Sequence, residues 1–416
     1  MREMKDSGTL WIGEIPKEWE IQKAKWVFKE RNEKGNSIVL QLLSPSQKYG
    51  VIPQSELDSV VKVKEDTDLS TFKTIHAGDY CISLRSFQGG FEYSTYEGVV
   101  SPAYHVFYAN GEICDSYYKF LFKCVGFIEK IASLPLTLRD GKNISFDMFG
   151  NMLIPMPPLC DQQIISTYLD TKCTKIDSII EKQEKIIEKL KAYKLSVITE
   201  AVTKGLNPDV KMKDSGVEFL GEVPENWEVI KFGRCITIKS NLVPPENYYD
   251  YPQIAPDSIE KNSARLLDYK TVMESGVISW NHLFFKGQII YSKIRPLLNK
   301  VIIAPFDGLC SADMYPIETE NNSKFIVYVI LSKYFSAQVG LLTENRVKMP
   351  KINQNELSGI IVAIPKLEEQ QQIADYLDKK CSAIDKSIGQ KQSIIEKLKE
   401  YKKSLIYEVV TGKKEV

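Results

Sequence analysis

Met4-Lys5-Asp6-Ser7-Gly8 recurs as Met212-Lys213-Asp214-Ser215-Gly216, 208 residues further on. The same displacement relates Gly13-Glu14-Ile15-Pro16 to Gly221-Glu222-Val223-Pro224, and Trp19-Glu20 to Trp227-Glu228. Far downstream it relates Tyr168-Leu169-Asp170 to Tyr376-Leu377-Asp378, and Ile186-Ile187-Glu188-Lys189-Leu190-Lys191 to Ile394-Ile395-Glu396-Lys397-Leu398-Lys399. Between these blocks, over about 31–150 and 239–358, the likeness fades while the length is kept. The period is too long for a solenoid. The chain therefore reads as two copies of one unit, alike in the connecting parts and unlike in the parts carried.

The second shared block predicts long helices. Leu169, Cys173, Ile176, Ile180, Gln183, Ile187, Leu190, Lys194, Val197 and Ala201 follow alternating steps of four and three, a heptad seam. Leu377, Cys381, Ile384, Ile388, Lys391, Ile395, Leu398, Lys402, Leu405 and Val409 repeat it. Both seams are broken by polar residues at the same places, Gln183/Lys391 and Lys194/Lys402; such residues weaken packing but fix register. Each helix is expected to start after a proline, Pro157-Pro158 or Pro365. Asp161, or Glu368 and Glu369, then lie in the first turn, where carboxylates suit the helix dipole. Gly205 and Gly412 mark the ends. With a globular segment between them, an antiparallel pair is the simplest arrangement.

The variable parts predict compact α+β heads. His76-Ala77-Gly78-Asp79 is a turn leading into an apolar strand from Tyr80 towards Arg85, and Phe285-Lys286-Gly287-Gln288 leads into one from Ile289 towards Arg295. Helices are expected near 117–131 and 324–337, and each head closes on a basic turn. Ser275 to Phe306 holds Lys286, Lys293, Arg295 and Lys300 and no acidic residue, which predicts a local positive field. Arg and Lys hold phosphates or read guanine, while Asn and Gln pair with adenine. The DNA-binding candidates are Arg85, Ser86, Gln88, Tyr93, Arg139, Lys142 and Asn143 in the first head. Those in the second are Lys293, Arg295, Lys300, Asn345, Arg346, Lys348 and Lys351.

Composition excludes more than it selects. The 416 residues carry equal numbers of acidic and basic side chains, which speaks against a simple basic-tail nucleic-acid binder but not against a basic groove. Eight cysteines show no CxxC pair or zinc-ligand spacing, and reduced, mostly buried thiols are expected. The opening MREMKDSG is polar and no apolar run approaches a membrane span, so a soluble cytoplasmic protein is expected. An Asn/Asp-Pro-Pro-aromatic motif for a flipped adenine is absent, and Asn207-Pro208-Asp209 does not fit it. A phosphate loop ending in GK[ST] and a carboxylate–lysine nuclease set are absent too. His76, His105 and His282 lack metal-ligand spacing. The expectation is no catalytic residue and no metal site.

The openings MKDSGTLWIGEIPKEW and MKDSGVEFLGEVPENW, the stretches PMPPLCDQQIISTYLD and AIPKLEEQQQIADYLD, and the IIEKLK helices behind them resemble the specificity subunits of type I restriction–modification systems over the whole chain. Lys366 stands where the first copy has Pro158. The resemblance implies two target-recognition domains, each for one half of a bipartite target in double-stranded DNA, separated by two long helices that form an antiparallel coiled coil with pseudo-two-fold repeat. The expected layout is 1–155 and 207–363 for the domains, 156–206 and 364–416 for the helices. It further implies two methyltransferase subunits docked on the helices and restriction/translocase subunits beyond them. S-adenosylmethionine, ATP and Mg would belong to those partners, with no cofactor in this chain. The competing reading is a non-catalytic coiled-coil scaffold that assembles proteins without touching DNA.

Overall fold

The structure, a computed structural model, describes residues 2–35, 41–57, 69–83, 89–134, 144–346 and 348–416. The chain forms two compact units, one of residues 1–183 with 393–416 and one of residues 184–392.

The repeated peptides build the same frame in each unit. Met4–Asp6 pairs antiparallel with Glu14–Pro16, and Met212–Asp214 with Glu222–Pro224. Asp6 Oδ1 accepts from Gly8 N at 2.9 Å, Asp214 Oδ1 from Gly216 N at 3.0 Å, and both glycines are left-handed. Asp-Ser-Gly is thus repeated because it closes a turn on its own backbone. Glu20–Lys23 then pairs with Leu153–Met156, and Glu228–Lys231 with Ile361–Ile364, which brings both ends of each head to one place.

Leu159–Lys204 and Leu367–Val410 are continuous helices of 46 and 44 residues. Each begins where the prolines end and stops at a left-handed glycine, Gly205 or Gly412. The Gln-Gln motif has a structural cause. Gln162 donates to Pro157 O at 2.8 Å and accepts from Cys114 N at 2.9 Å; Gln370 donates to Pro365 O and accepts from Asn322 N, both at 2.9 Å. One buried amide thereby joins the first turn of the long helix to the head.

Within each unit the two helix segments run antiparallel. In the first, Lys402 meets Asp177, while Gly412 abuts Trp19, which bonds Asp161 at the start of the first helix. In the second, Lys194 meets Asp385, while Gly205 abuts Trp227, which bonds Glu369. The apolar positions of the expected seam are buried in both helices except Leu190 and Leu398, which are half-buried, as are the polar positions Gln183, Lys194, Lys391 and Lys402. Each buried aliphatic residue there contributes about 1.5–3 kcal/mol.

Each head holds a four-stranded antiparallel sheet of the same connectivity. The first runs Phe28–Arg31, His105–Ala109, Tyr80–Ile82, Phe91–Tyr93; the second Thr237–Ile238, Met314–Glu318, Ile289–Ser292, Val301–Ile303. Gly78 and Gly287 supply the left-handed corner of the turn before the third-listed strand, with Asp79 N on His76 O at 3.0 Å and Gln288 N on Phe285 O at 3.1 Å. The first sheet packs through Phe28, Tyr80, Phe91 and Phe107 against Tyr118, Phe122 and Phe149. The second packs its Ile289, Tyr291 and Ile317 into a core with Phe325, Ile330 and Phe335.

Each predicted helical stretch is in fact two helices, Asp115–Leu121 with Val125–Ala132, and Ser323–Leu331 with Lys333–Thr343. In the second head Ser332 caps the new helix by accepting from Phe335 N, and the axis bends by 60°. No single described helix is long and apolar enough to cross a membrane.

Candidate nucleic-acid interface

The apolar strand that begins at Ile289 ends at Ser292, short of the expected Arg295. Lys293–Lys300 instead forms a loop around a single 3-10 turn, Pro296–Leu298. Arg295 and Asn299, on either side of that turn, both take φ 44°. The loop is stitched to the closing basic turn: Arg295 N donates to Pro350 O at 2.8 Å, Ile352 N to Lys293 O at 2.9 Å, and Ile294 bridges Lys351. It is also stitched to a third loop, with Asn262 N on Leu298 O at 3.2 Å. The buried Asn299 amide binds Asn262 Oδ1 at 3.0 Å and Ser336 Oγ at 2.7 Å.

Among the described residues, the non-glycine residues with left-handed φ are Asn262, Ala264, Arg295, Asn299 and Met349, all on these three loops. Such backbone costs of order 1–3 kcal/mol per residue and persists only where its surroundings over-determine it. Its concentration here marks a shaped surface.

The second-head candidates divide by what they touch. Arg346 is committed to Glu356, with Nη1 on Oε2 at 3.1 Å and Nη2 on Oε1, and it also reaches Lys351 O. This pairing holds the Glu356 carboxyl below its ordinary range. Lys351 pairs with Asp313 at 2.9 Å, and Lys300 with Pro256 O at 2.6 Å and Asp257 at 3.3 Å. Of the basic residues in 275–306, Lys300 is thus offset by a carboxylate from outside that stretch, Asp257. Lys293 Nζ lies 5.3 Å from the Tyr315 ring centre. Arg295, Asn345 and Lys348 are exposed, and Arg295 and Lys348 have no ion-pair partner among the described residues. The sequence missed Asn262, Asn299 and Ser336 as the clamps of these loops. The Pro296 and Asn299 pair flanking two leucines was the available signal.

In the first head, Arg85, Ser86, Gln88, Arg139, Lys142 and Asn143 lie outside the described residues. Tyr93 sits edge-on to Tyr80, ring centres 5.2 Å apart, so its ring belongs to the sheet's packing. The neighbouring turn is locked by Arg31, whose Nε and Nη2 donate to Asp79 at 2.7 and 3.2 Å. His282 is buried, and burial with the nearby Lys293 charge lowers its pKa, keeping the ring neutral. No group of three or more His, Cys, Asp or Glu among the described residues is placed to hold a metal.

Residues 16–194 and 224–400 each match the model of the type I restriction modification DNA specificity domain. The chain is 35% identical over 235 residues to the EcoDI type I restriction enzyme specificity subunit of Escherichia coli, an alignment covering 53% of each protein. It thus spans about half the length of that relative. It is 25% identical over 429 residues to the provisionally named MjaX specificity subunit of Methanocaldococcus jannaschii, covering 97% of this chain and 95% of that one. The fold matches, at TM-score 0.71 and 12% identity, a chain from a structure addressing complex assembly and conformational transition of the type I restriction–modification system, over 95% of this chain and 98% of that one. With the domain matched twice, once on each copy of the repeat, the chain belongs to the type I restriction–modification DNA specificity family.

Proposed function

We propose that this chain is the DNA-reading subunit of a type I restriction–modification assembly, with each head recognising one half of a bipartite duplex target. The supporting observation is that two near-identical frames carry two unlike heads on a matched pair of helices, which suits one target of two different halves. The strained, clamped loops of the second head present Arg295 and Lys348 for phosphates and Asn345 for a base edge. Lys293, Lys300, Arg346 and Lys351 shape and support that surface. In the first head, Arg85, Ser86, Gln88, Arg139, Lys142 and Asn143 take the corresponding role.

The chain itself carries no catalytic group in this reading. Two methyltransferase subunits supply S-adenosylmethionine chemistry, restriction/translocase subunits supply ATP and Mg, and the assembly works in the cytoplasm. Two heads bound to one duplex raise avidity and make both half-sites necessary.

The test is a head exchange. Residues 31–150 are replaced by the corresponding segment of another family member, and methylated adenines are mapped in cells expressing both proteins. One half of the two-part motif should change and the other should stay. A change in both halves, or a motif with a single part, would overturn the proposal.

A further inference from the structure

Leu297 is an aliphatic side chain held outward at high structural cost. It is 53% exposed, at the centre of the turn flanked by left-handed Arg295 and Asn299. Met349, itself left-handed at φ 48° and 52% exposed, lies on the loop to which Arg295 is hydrogen-bonded. The turn cannot relax easily. Leu298 N donates to Arg295 O at 2.9 Å, Asn299 N to Pro296 O at 3.0 Å, and the Asn299 side chain, 4% exposed, is clamped as described. One Leu297 methyl rests against Gly340 of the helix beneath, 3.8 Å from where a Cβ would stand there.

A lone exposed leucine needs no explanation. A rigid, strained mount for one does. Its surroundings select the occupant. Arg295 and Lys348, without ion-pair partners among the described residues, stand on the same two loops, with Lys293 behind them. The core of a protein–protein interface is depleted of charge. Apolar tips set among uncompensated cations match duplex DNA, where the cations meet phosphates and an aliphatic side chain enters between two base pairs and partly unstacks them.

We infer that Leu297, supported by Met349, is a wedge that inserts at one base step of the half-site read by the second head. It gives preference for an easily unstacked pyrimidine–purine step without any hydrogen bond to those bases. The inference rests on the second head being a DNA reader.

The experiment uses the full chain and a pool of 50-base-pair duplexes randomised over a central window. Wild-type protein and the variants Leu297→Ser, Met349→Ser and Leu297→Met are each taken through selection. The step is then probed by 2-aminopurine fluorescence. Leu297→Ser should erase the preference at one dinucleotide step, lower affinity for the wild-type winner about tenfold, and quench most of the wild-type fluorescence rise. The other half-site should be untouched, and Leu297→Met should retain the wild-type behaviour. If wild type selects a bipartite motif and both serine variants keep it, with the same fluorescence, the wedge is refuted while the DNA reading stands. If wild type selects no motif, both fall together.

Discussion

Lys402 Nζ lies 2.7 and 2.6 Å from the two carboxylate oxygens of Asp177, and Lys194 makes the same pair with Asp385 at 2.8 and 2.7 Å. Lys402 and Lys194 are one of the two matched pairs of polar positions that interrupt the heptad seams, and each meets a carboxylate on the facing helix. Exposed pairs of this kind contribute only about 0–1 kcal/mol. Their value is in alignment, because a shift of the helices by one turn would leave each lysine against apolar side chains. Replacing both lysines with leucine should therefore raise the thermal midpoint slightly yet give mixed oligomers by light scattering. Exchanging charges within the pair (Lys402→Asp with Asp177→Lys) should restore a single species. A monodisperse leucine variant would show that the pairs do not set register.

The indole bonds Trp19 Nε1 to Asp161 at 2.9 Å and Trp227 Nε1 to Glu369 at 3.0 Å tie the opening peptide of each copy to the start of a long helix. Trp19→Phe and Trp227→Phe should each cost about 1–3 kcal/mol, since a charge-accepting hydrogen bond is lost and part of a carboxylate is left dry. Urea unfolding of each variant measures this. The loss at Trp19 should be the smaller, because Asp161 Oδ2 keeps a second donor in Arg2 Nη1 at 2.9 Å. A loss from one tryptophan alone would mean that the two frames are not mechanically equivalent.

The frame was legible in the sequence because its signals are local and periodic. The two seams, Leu169 to Ala201 and Leu377 to Val409, are patterns of period 3.5, and the Asp-Ser-Gly turns and terminal glycines act within a few residues. The reading surface was legible only in part. Lys300, Arg346 and Lys351 looked free because their partners Asp257, Glu356 and Asp313 lie 43, 10 and 38 residues away in the chain. Arg295 looked like the end of a strand because hydrophobic alternation says nothing of a left-handed backbone held by Pro350. Likewise the break at Ser332 follows from a cap competing with helix propensity, which periodicity does not register.

Phosphate contacts and structural contacts should separate in their salt dependence. Arg295→Ala and Lys348→Ala should each lower the slope of log affinity against log salt by about one. Arg346→Ala should leave the slope alone while exposing the 344–352 loop to faster hydrogen exchange, because its guanidinium is spent on Glu356. Equal slopes for all three would mean that Arg346 contacts phosphate as Arg295 and Lys348 do.

Stability of the first unit should fall with rising pH across a defined window. Burial pushes the Glu92 carboxyl up to about 7, despite the Lys123 ammonium beside it. A folded-state pKa above the unfolded one means that the folded form holds the proton more tightly. That contribution is complete below the unfolded value of about 4.5 and is lost as pH rises through about 7. Glu92→Gln should therefore gain several degrees in thermal midpoint over wild type at pH 8 and much less at pH 5. A constant difference across that range would show that Glu92 keeps its charge on folding.

The two ends of the chain meet as the interior of the repeat does. Tyr407 Oη donates to Trp11 O at 3.0 Å, Arg2 Nε lies 3.6 Å from Glu415, and Gly412 is wedged against Pro16 and Trp19. In the second unit Gly205 faces the matching pair, Trp227 and Pro224, less tightly, and residues 206–211 connect it to the hairpin that starts at Met212. Joining Val416 directly to Met1 would make a connector of residues 413–416 and 1–3 before Met4, one residue longer than the natural one. A permuted chain so joined and opened at Asn207–Pro208 should fold with the same circular dichroism spectrum. Its thermal midpoint should fall within a few degrees of the parent, because no frame contact is cut. Loss of cooperative melting in that chain would mean that the Gly205 connector carries strain or order that the junction at 416 and 1 does not reproduce.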